Sequence, residues 1–176
     1  MQHKIYALWF AGLSFVPAQA AYADCDDAPA PVQEALKAEE GWSFVTPRDL
    51  DEEKRVLAAE LHPNECPGFA LADLDGAGAV SYAIALIKFE SDRTLQKLVV
   101  LRPEGDGFKA VTFAPTYELA SPAVVFKAAP GTYERIGENK GIDIATDSIV
   151  YAQIRGAATQ YYLVKGKMRA FPAEQP

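Results

Sequence analysis

An α+β fold is predicted, with two N-terminal helices packed on an antiparallel β-sheet meander. Three observations predict it. Residues 24–66 carry helix-period apolar stripes with acidic starts and proline openings. Ser81 to Glu90 alternates at period two with apolar residues on both faces. Beyond Glu90, short β-rich runs are separated by glycine, proline and acidic turns.

The first 23 of the 176 residues have the layout of a secretory signal. Lys4 gives the positive start, Ile5 to Val16 a short apolar run, and Ala18-Gln19-Ala20 or Ala21-Tyr22-Ala23 a small-x-small cleavage site. The run is shorter than the roughly 18 residues needed for a membrane span. The expected organisation is therefore a signal peptide over 1–23 and one globular domain over 24–176. That domain divides into a helical part, 24–66, and a β part, 67–176. Removing Lys4 moves the net charge from −7 to −8. An acidic chain of this kind is repelled by nucleic acid and anionic lipid and attracted to basic surfaces. No membrane insertion is expected after cleavage.

Cys25 and Cys66 are the two cysteines. In an oxidising compartment a lone pair forms a disulfide. The alternative is a reactive or metal-binding thiol beside His62 and Glu65. Between the cysteines, Pro29 and Pro31 open a first helix, and Gly41 stops it. Its inner side is Val32, Ala35 and Leu36. A second helix is expected from Thr46-Pro47, with Leu50, Leu57 and Leu61 on one stripe and Asp49, Asp51, Glu52 and Glu53 at the favourable end of its dipole.

Asp73-Leu74-Asp75-Gly76-Ala77-Gly78-Ala79-Val80-Ser81 places acids at the first and third positions of a calcium-type loop. Ala77 and Ser81 stand where further oxygen ligands are usual. Asp73, Asp75 and Ser81 are thus a candidate low-affinity calcium or partner-binding turn. The alternative is a plain turn in which the aspartates accept from nearby amides and the glycines take positive φ. No other cofactor and no firm metal site are expected. The strand that follows puts Tyr82, Ile84 and Leu86 on one face and Ala83, Ala85, Ile87 and Phe89 on the other, so it should be central and covered twice.

Asp73, Asp75, Gly76, Gly78 and Tyr82-Ala83 resemble the aspartate-glycine turn and Tyr-Ala strand of single-module FG-GAP/VCBS-like secreted bacterial proteins. The likeness extends more faintly to Pro130-Gly131-Thr132-Tyr133 and Tyr161-Tyr162, over about residues 66 to 171. It implies secretion and a calcium-type turn, with no single activity.

Further strands are expected at Leu95–Leu101, Phe108–Phe113, Val124–Lys127, Tyr133–Ile136, Ile142–Ala145, Ser148–Ile154, Thr159–Lys165 and Met168–Phe171. The turn between the first two carries Glu104 and Asp106, a candidate partner-contact loop. The glycine-bounded 137–141 loop lacks P-loop spacing and reads as a turn.

Catalytic signals are sparse. His62 is the one histidine beyond residue 23, and no serine sits in a G-x-S-x-G elbow. No catalytic residue is assigned. The expectation is an exported, non-catalytic binding or interaction protein of the bacterial periplasm or exterior, with a protein partner that is basic. An immunity-like inhibitor of a toxin or envelope enzyme is its concrete form, with the acids steering encounter. The alternatives are a small secreted hydrolase using acidic residues or a bound metal, and a structural envelope component.

Overall fold

The computed structural model of the chain describes residue 25 and residues 28–134 and 141–173. The expected signal peptide and most of the 137–141 loop lie outside the described residues. Helix α1 spans Ala30–Lys37 and α2 spans Glu52–Leu61, with a single 3-10 turn at Pro47–Asp49 between them. The strands are β1 (Ser43–Phe44), β2 (Phe69–Ala72), β3 (Ser81–Phe89), β4 (Thr94–Glu104), β5 (Gly107–Glu118), β6 (Ala123–Ala128), β7 (Gly131–Tyr133), β8 (Ile142–Ile144), β9 (Ser148–Gln153), β10 (Ala158–Val164) and β11 (Lys167–Ala173). The architecture is mainly β, so the two-layer α+β expectation is corrected. The antiparallel sheet is present, but the helices are short pieces around it.

The expected single meander is two sheets and a small hairpin. Sheet 1 runs β1-β3-β4-β5, with β2 also paired to β3; sheet 2 runs β11-β10-β9-β6; β7 pairs with β8 alone. All these pairings are antiparallel. The period-two pattern identifies strands but not their partners. β6 skips the β7–β8 hairpin and pairs with β9, setting Val125 opposite Tyr151.

β3 is the central strand of sheet 1. Ala83, Ala85 and Ile87 belong to the main core, which includes residues of both sheets, with Phe113 against Tyr161 and Tyr117 against Tyr151. Ile84 and Leu86 belong to a second cluster on the opposite face, with Val32, Ala35 and Leu36 of α1 and with Phe44 and Phe69. Each such aliphatic side chain removed from water stabilises the fold by about 1.5–3 kcal/mol. The apolar double face of this strand follows from its position between two layers.

One edge of β3 serves two strands end to end. Phe69–Ala72 pairs with Ser81–Ile84, and Ser43–Phe44 pairs with Leu86–Ile87. They meet at Ala85, whose carbonyl accepts from Val45 N (3.0 Å) and whose N–H donates to Gly68 O (2.9 Å). At Gly68 a Cβ would stand 2.1 Å from Val45 O, so only glycine lets these two backbones approach. Val125 N donates to Pro67 O (2.9 Å), which ties β6 of sheet 2 to the same junction.

The second helix begins later than expected. Asp49 accepts from both Thr46 N (2.7 Å) and Thr46 Oγ1 (2.8 Å), closing the 3-10 turn. Leu50 then goes extended (φ −90°, ψ 142°) and inserts into the core, which breaks the helix. Asp51 caps α2 by accepting from Lys54 N (3.0 Å).

Candidate functional site

Among the described residues, α1 is the helix that roofs the outer face of sheet 1. α1 lies over β3, held by Val32, which is fully buried. α1 contributes Ala30 and Ala35 to the lining, joined by Ala38 just past its end, and these side chains are small. An open groove of about 540 Å³ results. Its floor is Ile84, Leu86, Val99 and Leu101, and Phe108 and Ala110 of β5 form the far side. That volume lies within the roughly 300–1,000 Å³ of small-ligand sites. Phe108 meets Tyr82 edge-on (5.3 Å), and Leu71, paired with Tyr82 across the sheet, is exposed, so the apolar surface continues beyond the groove.

Among the described residues, the charged side chains of the lining are Glu34 and Glu39. Glu34 pairs with Lys37 at 2.6 Å, and both side chains are about 70% exposed, so that pair is worth little and exchanges readily. Glu39 pairs with Lys97 at 2.6 Å, and Lys97 lies 4.5 Å above the Trp42 ring. The floor strands have their main-chain groups engaged in the β3–β4 and β4–β5 ladders. The groove therefore offers apolar contact with ion-paired glutamates at its rim, and no hydrogen bonds from the floor strands.

The sequence-predicted turn is organised differently from a cation loop. Asp73 accepts from Ala77 N (3.2 Å) and Gly78 N (2.8 Å), using both oxygens, while Gly76 and Gly78 take φ of 70° and 78°. Asp75 accepts twice from Arg102 (2.9 and 3.1 Å). Ser81 is 1% exposed at the start of β3, its hydroxyl unpartnered. Asp147 accepts from Asp73 N (3.0 Å), and Thr146 donates to Leu74 O (3.1 Å), fastening the turn to the segment before β9. Among the described residues no group of three or more His, Cys, Asp or Glu side chains is placed to hold a metal ion. In the β4–β5 hairpin, Glu104 pairs with Lys109 at 3.2 Å, and Asp106 is exposed at the tip.

Cys25 and Cys66 form the disulfide, with a Cα–Cα distance of 5.4 Å. This fits an oxidising, exported setting and removes the alternative of a reactive thiol at Cys66. His62 ends α2, stacks on Phe126 (4.1 Å between centroids) and has Nδ1 3.5 Å from Glu65. Between the sheets, burial pushes the Tyr117, Tyr151 and Tyr161 hydroxyls above the ordinary tyrosine range, so they stay protonated. They act as core, not as acids or nucleophiles. No described helix is long and apolar enough to cross a membrane.

Sequence reasoning missed the groove. Its one advance signal was the alanine side of α1 facing a strand whose outer residues are large and apolar. No protein-family model, no curated protein and no solved structure matches this chain.

Proposed function

We propose that the protein is an exported, non-catalytic binding protein of a bacterial periplasm or exterior, which seats an apolar part of its partner in the groove between α1 and β3–β5. The observation that carries this reading is the groove itself: a contiguous apolar concavity of about 540 Å³ left open on the outer face of the central sheet. Apolar concavities of this size with a few polar groups at the rim are where small ligands and side chains of partners are held. An inhibitor that neutralises a basic toxin or envelope enzyme is one form of this function. Steering by the Asp73–Asp75 turn contributes less to it than first expected, since Arg102 compensates Asp75 and Lys109 compensates Glu104.

The test is photo-crosslinking. Benzoylphenylalanine is placed at Ala110, in the groove, and in a second protein at Glu60, on the exposed side of α2. Both oxidised proteins are incubated with envelope extract of the source organism. A single stoichiometric adduct formed from position 110 and not from position 60 supports the reading. Equal labelling from both positions, or none from either, defeats it.

A further inference from the structure

Sheet 1 ends at β5, and among the described residues β5 pairs with β4 alone. One residue shows which of its main-chain groups are left open. Opposite residues of an antiparallel pair alternate between those that exchange two hydrogen bonds and those that exchange none. Pro103 stands opposite Phe108 and has no N–H, so this pair is of the second kind. The alternation repeats at Leu101 with Ala110 and at Val99 with Thr112, before the register shifts at Leu98. The N–H and C=O groups of Phe108, Ala110 and Thr112 therefore point away from β4, and all three residues are exposed.

An open edge is a template for another strand, and proteins commonly block it with charge, proline or a bulge. The edge strand of sheet 2, β11, carries Lys167, Arg169 and Pro172. The outer side of β6 is tied to Pro67 through Val125 N. On β5 the register shift after Thr112 and Pro115 both lie beyond the open stretch. Lys109 falls on the opposite face from Phe108 and Ala110 and is bound to Glu104 (3.2 Å).

The occupant follows from symmetry. The three outward residues are evenly spaced, so a two-fold axis at Ala110 satisfies all of them at once. It sets Phe108 opposite Thr112 of the second copy, Ala110 opposite Ala110 of the second copy, and Thr112 opposite Phe108 of the second copy. Each of these pairs exchanges two hydrogen bonds. Phe108 with Thr112 is a favourable aromatic and β-branched cross-strand pair, and Ala110 puts no bulk at the axis. On the other face Lys109 comes opposite Val111, so no like charges are directly opposed. We propose that the β5 edge receives the β5 edge of a second copy of this chain, antiparallel about Ala110, which joins two copies of sheet 1 into one continuous sheet. The pairing adds little side-chain burial, so it is a weak association, favoured at high protein concentration and at moderate salt, which screens the net charge of −7.

The experiment is sedimentation equilibrium of the oxidised chain over about 5–500 µM, with hydrogen exchange at both ends of that range. The apparent mass should rise toward twice that of the chain. The amides of Phe108, Ala110 and Thr112 should exchange fast in dilute protein and several times more slowly in concentrated protein, whereas those of Lys109 and Val111, bonded to β4, should be protected in both. Ala110→Pro removes an outward N–H that the β4 ladder does not use, and should abolish the rise in mass. Ala110→Lys sets two like charges face to face at the axis and should weaken association roughly three- to tenfold. Met168→Lys makes the same charge change at an exposed position of β11 and should leave association unchanged.

Should Ala110→Pro fail to fold, the comparison of Ala110→Lys with Met168→Lys carries the test. A constant monomer mass across the range overturns the proposal. So does a dimer that persists in folded Ala110→Pro, or one that both lysine variants affect equally, because the contact would then lie elsewhere. Protection of the Phe108, Ala110 and Thr112 amides in dilute monomer also overturns it, since a segment of the same chain would then cover the edge. None of these outcomes bears on the groove: in the crosslinking experiment a position-110 adduct of twice the chain's own mass reports this pairing, and an adduct of another mass reports a groove partner.

Discussion

Reduction of the Cys25–Cys66 disulfide should cost about 4 kcal/mol. The bond joins residues 41 apart in sequence. On the chain-entropy model, closing a loop of that length removes about 13 cal/mol/K from the unfolded ensemble, which is roughly 4 kcal/mol at 25 °C. Against a total stability of about 5–15 kcal/mol, this is a large share. The enclosed segment holds α1, β1, the 3-10 turn and α2, and both half-cystines are buried (7% and 4% exposed). α1 has eight residues, too few to persist without tertiary support. The assay is urea denaturation of the oxidised protein and of the Cys25→Ala/Cys66→Ala variant, with hydrogen exchange on the folded forms. With a slope of about 2 kcal/mol per molar urea, the midpoint should fall by about 2 M. The amides of α1 should lose protection before those of β3 and β4. A loss below about 1 kcal/mol would refute the reasoning, since the unlinked unfolded chain would then gain almost no freedom. Unchanged exchange of the α1 amides would show that packing of Val32 on β3, without the tether, is enough to hold the helix.

Gly68→Ala should destabilise the fold by more than about 3 kcal/mol, because its Cβ would fall 2.1 Å from Val45 O at the β1–β2 junction. A loss under about 1 kcal/mol in urea would show that this junction parts easily. Stability should be flat up to about pH 9 and fall above about pH 10. There the unfolded chain's tyrosines ionise while buried Tyr117, Tyr151 and Tyr161 keep their protons, so unfolding releases protons and high pH favours it. Each such tyrosine adds up to about 1.4 kcal/mol per pH unit, and Tyr151→Phe should make the alkaline slope shallower; an identical slope would count against it. Asp73→Ala should cost about 1–2 kcal/mol, since two backbone N–H groups lose their acceptor. Calcium should leave the wild-type melting temperature within about 1 °C, and a saturable rise would show that the turn exchanges its amides for a cation.

The sequence made β3 legible because alternation reports a strand's two faces directly, and here both faces are filled. Ser81 and Phe89 bound the observed strand almost where the pattern did. The disulfide was legible because only one pairing exists for two cysteines in an oxidising compartment. Other features were not. β2 is four residues and β1 two, too short for a period to register; what makes them strands is the free edge of β3. Thr46-Pro47 has the chemistry of a helix start, but Leu50 is drawn into the core and the helix restarts at Asp51. The acids Asp73 and Asp75 looked alike as site candidates. Asp73 became a turn acceptor and Asp75 an ion-pair partner because Arg102 of β4 comes beside it, and such long-range neighbours leave no trace in local spacing.

The groove belongs to this second kind of feature. Its residues come from three strands and a helix, and each taken alone reads as core. What leaves it open is a mismatch of size: an eight-residue helix with alanines on one side set over strands of nine to twelve residues. Phe89 and Val56 are more exposed than any residue of the groove floor, yet they stand singly and require no occupant. Ile84, Leu86, Val99 and Leu101 are each well covered and together form one continuous floor, with one wall left open among the described residues. A longer α1, or leucine in place of Ala35 and Ala38, would close that wall and add buried apolar surface at little cost in helix propensity. Stability alone therefore does not account for the alanines. What they leave is the open side of the groove, where small side chains on α1 keep the space over Val99, Leu101 and Ala110 unfilled.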